Sequence, residues 1–284
     1  MFSLKELKMK RSRFFIQGAA TLGLILMLAC VTAPAQQQEG YQPQVGQPGK
    51  DVVWVPTQQE LVDRMLEMAK VTPQDYVIDL GSGDGRTVIT AAKLGAPALG
   101  IEYNPDMVEL SKRNAAEAGV SDKATFVKAD LFESDFSKAT VITMFLLPDI
   151  NLKLRPKLLD LKPGTRIVSN SFTMEDWEAD ATVRLEEGCM SWCTAYMWII
   201  PAKVEGKWQL ADGELTIKEQ FQKITGTVSS GGKETQITGR LRGNLITFSA
   251  DGSEYEGEVD GDMISGNAKS GAGNKSWHAM KITQ

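Results

Sequence analysis

The feature that most constrains this chain is a glycine-rich turn that follows directly on an apolar stretch. Residues 77–86 read VIDLGSGDGR, so an apolar strand runs into Gly81, Gly83 and Gly85 before a helix opens at Arg86. Glycine lets the backbone turn sharply and approach a ligand closely, and the carboxyl ends of parallel strands are where such sheets bind nucleotides. The spacing is GxGxG, because Arg86 stands where a dinucleotide-binding GxGxxG motif has its last glycine.

Two acidic residues follow at the ends of the next predicted strands. Glu102 lies 21 residues after Gly81, close to the spacing at which a carboxylate accepts hydrogen bonds from ribose hydroxyls. Asp130, in the stretch VKADLFE, comes just past the third strand, where a side-chain acceptor can meet an adenine amino group. Three such elements at successive strand ends are far more specific than one glycine loop, and they predict a nucleoside pocket.

The rest of this region alternates between strand and helix patterns, which predicts a parallel sheet covered by helices on both faces. A helix at 57–70, capped by Thr57, precedes the first strand. The predicted strands are 76–80, 98–102, 124–128, 140–146 and 166–171, with two further strand-like runs at 182–185 and 194–201, and the helices are 86–94, 105–118 and 148–159.

Beyond Lys203 the pattern changes to short alternating strands with frequent glycine. The motif that begins at Ile237 recurs from Tyr255, and each copy ends in a Gly-Asn or Gly-Asp pair of the kind that tight two-residue turns require. Six to eight strands over residues 204–284 predict a small antiparallel barrel or sandwich. No catalytic constellation is visible there, and a packing or partner-binding role is expected.

The first 35 residues have the pattern of an export signal. Basic residues between Lys5 and Arg13 precede an apolar run, and Ala33 and Ala35 flank Pro34 as a small-x-small cleavage site. We expect cleavage after Ala35 and an exported or envelope-associated bacterial protein. Two alternatives stay open: an uncleaved membrane anchor, and a lipoprotein signal in which Cys30 is lipidated. Residues 36–50, rich in Gln, Gly and Pro, predict a flexible linker.

Composition excludes several classes of chemistry. His278 is the single histidine, so serine–histidine relays and two-histidine zinc sites are largely excluded, and no metal site is expected. The net charge of −5 gives no reason to expect a nucleic-acid partner. Cys189 and Cys193 lack further metal ligands, and either a disulfide or two reduced thiols is compatible with their spacing.

The stretches VIDLGSGDGRTVITAA, GIEYNP and KADLF resemble the successive cofactor motifs of class I methyltransferases. More narrowly, VWVPTQQELVDRMLEMAKV and MFLLPDINLKLRPKLLDLKPGTRIVSNSF resemble the lysine methyltransferases that modify the ATP synthase c-subunit and the adenine nucleotide translocase, which are distant from the Dot1-type enzymes. The resemblance covers about residues 52–200. It implies a Rossmann-like seven-stranded sheet over residues 51–203, ended by a hairpin with one antiparallel strand.

The resemblance also implies S-adenosylmethionine as the cofactor. Its implied site consists of Pro56, Thr57, Asp79, Gly81, Ser82, Gly83, Glu102, Tyr103, Asn104, Asp130 and Leu131. Methyl transfer from a sulfonium needs mainly orientation and desolvation of the nucleophile, which suits a chain without a catalytic histidine.

The acceptor end of the site departs from a common pattern. Many amino-methylating enzymes carry an Asn/Asp-Pro-Pro-aromatic loop where this chain reads Phe145-Leu146-Leu147-Pro148. Phe145 and Pro148 are candidates for lining a methyl-transfer channel, although Phe145 also fits a core position. We expect N-methylation of a protein lysine. The alternatives are a small-molecule or lipid acceptor, or a non-catalytic nucleoside-binding envelope module, because an exported enzyme lacks an obvious cofactor supply.

Overall fold

The structure, a computed structural model, describes residues 41–271 and 273–282. The predicted targeting segment 1–35 and the first part of the predicted linker lie outside these residues. None of the helices within the described ranges is long and apolar enough to cross a membrane.

The first part of the described chain forms an α/β unit with a seven-stranded sheet. Its elements in chain order are α1 Gln59–Met68, β1 Val77–Leu80, α2 Arg86–Lys93, β2 Ala98–Glu102, α3 Pro105–Glu117, β3 Ala124–Lys128, β4 Val141–Met144, α4 Pro148–Leu159, β5 Arg166–Asn170, β6 Ala181–Arg184 and β7 Thr194–Ile199. The strand order is β3-β2-β1-β4-β5-β7-β6. Strands β1 to β5 pair in parallel, and β7 pairs antiparallel with both β5 and β6. The expected sheet with a terminal hairpin is confirmed.

Helices cover both faces of this sheet. Apolar residues of α1, α2 and α3, such as Leu61, Val88 and Val108, pack on one face, while Leu154 and Leu158 of α4 pack on the other. Because both faces are covered, β1 and β4 are buried at every position.

The start of α1 differs from the prediction. The N-cap residue is Gln58, and no side chain among the described residues caps the helix. Thr57 is not the cap, because its hydroxyl accepts a hydrogen bond of 3.1 Å from Asn170 Nδ2 at the end of β5. The polar side chain therefore ties the segment before α1 to the sheet.

The second part of the chain is a closed antiparallel barrel of eight strands. They are β8 Gly206–Leu210, β9 Gly213–Gln220, β10 Lys223–Ser230, β11 Lys233–Arg242, β12 Leu245–Ala250, β13 Ser253–Asp260, β14 Met263–Ser270 and β15 Gly273–Lys281, closed by the pairing of β15 with β8. Burial alternates along the strands, as in β12, so apolar side chains fill the interior. Gly243 and Gly261 have φ values of 61° and 56°, as the tight turns require.

Two local features bear on the site described below. Cys189 and Cys193 form a disulfide in the loop between β6 and β7. Residues 44–54 form a hydrogen-bonded hairpin in which Gly46 N donates to Trp54 O and Trp54 N donates to Gln47 O. The last residues of the predicted flexible linker thus belong to the folded unit, because their backbone groups pair with residues beyond Lys50.

Candidate active site

A cavity of about 500 Å³ opens at the carboxyl ends of the parallel strands, a size within the range of small-molecule sites. Twelve residues predicted from the sequence line it: Pro56, Thr57, Asp79, Gly81, Ser82, Gly83, Glu102, Tyr103, Asn104, Asp130, Leu131 and Phe145. Pro148 does not line it. This proline is the exposed first residue of α4, where its fixed φ suits the helix start, whereas its neighbours Leu147 and Ile150 line the cavity.

The glycine turn and Glu102 form one hydrogen-bonded unit. Glu102 Oε2 accepts a hydrogen bond of 2.9 Å from Gly83 N, and its Oε1 accepts one of 2.9 Å from Asn104 N. The carboxylate therefore joins the end of β2 to the turn after β1. Each oxygen keeps lone-pair capacity, so the group can still accept from hydroxyls of a ligand.

Asp79 is the most perturbed acid of the cavity. Burial raises the pKa of its carboxyl to about 7, against a lowering effect of the Thr143 hydroxyl, and the charges of Glu102 and Asp84 raise it further. Thr143 Oγ1 donates to Asp79 Oδ1 at 2.7 Å. With this pKa the carboxyl is about half ionised near pH 7, and it gains further charge when a cationic group enters the cavity.

Asp130 faces a cation that the sequence did not indicate. Lys50 Nζ donates to Asp130 Oδ2, and Phe132 N donates to Asp130 Oδ1 at 2.9 Å. The hydrogen bond from Lys50 lowers the pKa of the Asp130 carboxyl. The same ammonium group lies 4.9 Å from the centroid of the Tyr103 ring. Asp130 is therefore an ionised acceptor at the rim of the cavity.

The side chains of two predicted residues have surroundings of their own within the fold. Asn104 Oδ1 caps α3 by accepting from Asp106 N at 2.9 Å. Ser82 Oγ is buried and has no partner among the described residues; a Cβ added at Gly100 would lie only 2.5 Å from it. Both residues also line the cavity.

The hairpin of residues 44–54 covers one side of the cavity. A Cβ added at Gly83 would lie 2.7 Å from Trp54 Nε1, so the hairpin packs against the glycine turn with no spare volume. Arg86 Nη1 donates to Thr57 O at 2.7 Å, and its Nη2 pairs with Asp84 at 2.5 Å. Arg86 thus joins the turn to the segment before α1, a role that local sequence patterns do not reveal.

Aromatic rings form the opposite end of the cavity. Phe145 is half-buried just after β4, and its ring lies 6.0 Å from that of Phe172 and 5.9 Å from that of Trp192. This placement favours the channel interpretation of Phe145 over the core one. The sequence analysis did not identify Phe172 or Trp192. The available signal was that Phe145 and Phe172 each lie close after the end of a strand, β4 and β5, and that these strands are neighbours in the sheet.

The charges of the lining are predominantly negative. Five acids and two bases line the cavity, namely Asp51, Asp79, Asp84, Glu102 and Asp130 against Lys50 and Arg86. Both bases are already paired with acids of the same set. No group of histidine, cysteine or acidic side chains in residues 41–271 and 273–282 has the arrangement of a metal site. The cavity therefore fits a nucleoside ligand that carries positive charge.

Comparison with known protein families gives a consistent result. Residues 79–181 match the ANTKMT methyltransferase domain. A protein-lysine N-methyltransferase from Saccharolobus islandicus is 45% identical over 152 residues, which cover 52% of this chain and 94% of the relative. The mouse adenine nucleotide translocase lysine N-methyltransferase is 35% identical over 124 residues, covering 43% of this chain and 54% of the relative.

Among solved structures, an RNA methyltransferase from Salinibacter ruber in complex with S-adenosyl-L-homocysteine is 51% identical to this chain, with a TM-score of 0.50. The match covers 53% of this chain and 96% of that one. Its bound ligand is the demethylated form of S-adenosylmethionine, a nucleoside of the kind that the cavity fits.

Proposed function

The chain belongs to the ANTKMT-type family of S-adenosylmethionine-dependent protein-lysine methyltransferases, and from that premise we propose that it methylates a lysine side chain of another protein. The observation that carries the choice of acceptor is the 45% identity to the Saccharolobus protein-lysine N-methyltransferase, 94% of whose length is covered by the match. The lining supports this choice, because its two bases, Lys50 and Arg86, are paired with acids and offer little attraction to the phosphates of a nucleic acid.

We assign the nucleoside end of the cofactor to the glycine turn and the two strand-end acids. Gly81 and Gly83 bring the backbone close to the ligand, Glu102 accepts from the ribose hydroxyls, and Asp130 accepts from the adenine amino group. Asp79, once ionised, holds the positively charged end. When bound, S-adenosylmethionine supplies a methyl group that is already activated by its sulfonium.

The acceptor end is assigned to Phe145 and Leu146. A lysine amine has a reference pKa of roughly 10.4 and must lose its proton before it attacks. An apolar wall disfavours the charged ammonium and lowers that pKa, and it also keeps water from the reacting atoms. The half-buried ring of Phe145 and the buried side chain of Leu146 form such a wall.

The cofactor assignment is tested by calorimetric titration with S-adenosylhomocysteine. We expect Glu102→Ala or Asp79→Ala to reduce binding below detection while the circular dichroism spectrum stays native. Glu109→Ala is the matched control, because this exposed glutamate of α3 pairs with Lys112 at the surface and does not line the cavity. Unchanged affinity in both the Asp79 and the Glu102 variants would refute the site.

The acceptor is tested by incubating the protein and radiolabelled S-adenosylmethionine with a membrane-protein extract, total RNA and a lipid fraction in parallel. Label that is sensitive to protease and recovered as methyl-lysine after hydrolysis supports the proposal. Label in RNA would instead give this chain the acceptor class named for the Salinibacter protein. Label in lipid, or cofactor binding without any transfer, would equally overturn the lysine proposal.

We propose further that the protein is exported. The basic N-terminus, the apolar run and the small residues around Pro34 support this location, and the Cys189–Cys193 disulfide fits an oxidising compartment. Mass spectrometry of the protein from periplasmic, membrane and cytoplasmic fractions is the test. A chain that starts at Gln36 or at a lipidated Cys30 agrees with export, whereas an intact chain in the cytoplasm contradicts it.

A further inference from the structure

Three aromatic rings meet at the mouth of the cavity. Phe145, Phe172 and Trp192 have ring centroids 5.3 to 6.0 Å apart, and all three residues line the cavity. Trp192 is 45% exposed, so its ring contacts both the cavity and the solvent. A ring that is exposed to this extent contributes little to the core and is free to contact a molecule that enters the cavity.

Trp192 is held in place by its loop. The loop between β6 and β7 is closed by the disulfide between Cys189 and Cys193, and Leu185 N donates to Cys193 O at 2.9 Å across its base. Trp192 has a φ of 59°, a conformation that a bulky side chain rarely adopts without support from its surroundings. The covalent link directly after it supplies that support.

The neighbouring ring of Phe172 is fixed from the opposite side. Ser171 N, beside Phe172, donates to Thr194 O at 2.7 Å, which ties the end of β5 to the start of β7. The buried Asn151 side chain points its Nδ2 at the carbonyl oxygens of Phe172 and Thr173, 3.4 and 3.3 Å away. Phe172 is thus anchored to α4, whereas the position of Trp192 depends on the disulfide loop.

We propose that Trp192 is a specificity-determining residue for the methyl acceptor, held over Phe145 and Phe172 by the Cys189–Cys193 disulfide. It rests on the proposed function, since the ligand taken by the three rings is the side chain of a lysine. The hydrocarbon stem of lysine packs against aromatic faces, and its ammonium is attracted to them during entry.

The test compares acceptor and cofactor constants in variants of Trp192. In Trp192→Gly the ring is lost and the positive φ is relieved, so we expect an unchanged or raised melting temperature. The half-saturating concentration of the membrane-protein extract should rise about tenfold, the loss expected for one central aromatic contact. The dissociation constant for S-adenosylhomocysteine should change by less than about twofold, and Trp192→Phe should recover most of the acceptor affinity.

Met190→Ala is the matched control, because Met190 lies in the same disulfide loop, is 99% exposed and does not line the cavity. If Trp192→Gly has the same half-saturating acceptor concentration as the wild type, the inference is overturned and the proposed function stands. A wild type that labels no protein lysine would overturn both, without any variant.

The role of the disulfide has its own readout. A dithiol reductant transfers two electrons and two protons to the Cys189–Cys193 bond, which yields two thiols and oxidises the dithiol. We expect the half-saturating acceptor concentration to be raised in the reduced wild type and in the Cys189→Ser/Cys193→Ser double variant, as it is in Trp192→Gly. Reductant should have no further effect on the double variant. Unaltered acceptor affinity after confirmed reduction would remove the disulfide from the proposal.

Discussion

At the scale of single residues, Asp79 shows how burial tunes a group that the sequence already identified. Its carboxyl lies near the end of a fully buried strand and accepts a hydrogen bond from Thr143. Burial is the largest influence on its pKa, which rises to about 7. The acid is therefore only about half ionised in the ligand-free protein near pH 7 and gains charge when a cation offsets the cost of burial.

This pKa makes folding stability depend on pH in a defined direction. In the unfolded chain Asp79 ionises at its ordinary pKa of roughly 4, but in the folded protein only near pH 7. The unfolding free energy should thus decrease as the pH rises from about 4 to about 7, by up to about 4 kcal/mol. Below pH 4 the group is neutral in both states and contributes no such dependence.

We therefore expect Asp79→Asn to be more stable than the wild type at pH 8 and about equally stable at pH 4, since the amide is never charged. Urea unfolding at the two pH values measures the difference. Asp122→Asn, at an exposed position, is the control and should follow the wild type. Parallel pH profiles for the wild type and Asp79→Asn would contradict the assignment of the raised pKa.

At the scale of elements, the hairpin of residues 44–54 and the glycine turn close the cavity together. The two are packed so tightly at Gly83 that a methyl group would collide with Trp54. Lys50 reaches from the same hairpin to Asp130 on the other side of the cavity. Access to the nucleoside end thus depends on a contact between segments that are distant in the sequence.

Gly83→Ala should weaken S-adenosylhomocysteine binding by at least about tenfold, because the added methyl displaces Trp54 and the φ of 54° disfavours a side chain. Calorimetric titration measures the loss. Gly119→Ala is a matched control: its φ is 69°, yet nothing lies within 4 Å of the added Cβ. The control should lose about 1 kcal/mol of stability and keep its ligand affinity. Equal affinities of the two variants would mean that the hairpin does not close the cavity.

At the scale of the whole molecule, the barrel is seated on the α/β unit through a few specific contacts. Phe221, in the turn between β9 and β10, stacks on the fully buried Trp177 at 5.6 Å. Gln222 Nε2 donates to Glu178 O at 2.7 Å, and Arg240 pairs with Asp180 at 2.6 Å. These contacts all involve the segment between β5 and β6, residues 171–180, which also contains the cavity-lining Phe172.

Phe221→Ala should lower the unfolding free energy by about 2 kcal/mol, less than for a fully buried phenylalanine because this ring is only partly buried. Thermal unfolding followed by calorimetry measures the change. Phe221 does not line the cavity, so S-adenosylhomocysteine binding should stay within about twofold of the wild type. Phe221→Leu should restore part of the stability. An unchanged melting temperature would show that this stack does not hold the barrel.

The positions of Gly81, Glu102 and Asp130 followed from the sequence because parallel strands bring their carboxyl ends to one edge of the sheet. Knowledge of three strand ends was therefore enough to bring these three residues to one cavity, where we assign the nucleoside. The barrel was predictable for a similar reason, since its turns and its alternation are local patterns. The local patterns did not say whether this sheet closes into a barrel or forms a sandwich. The non-local pairing of β15 with β8 decided that it closes.

The acceptor end and the cover of the cavity were decided by tertiary structure alone. Lys50 contacts Asp130, 80 residues further along the chain, and Trp192 contacts Phe145, which lies 47 residues before it. Hydrophobic periodicity gives no information about contacts at such separations in the sequence. Pro148 was misplaced for a similar reason: Leu147 and Ile150 line the cavity and Pro148 does not, because packing of α4 against the sheet decides which side chains at its start face the cavity. A sequence specifies strand ends through local composition, whereas contacts between loops depend on how the completed sheet orders its strands.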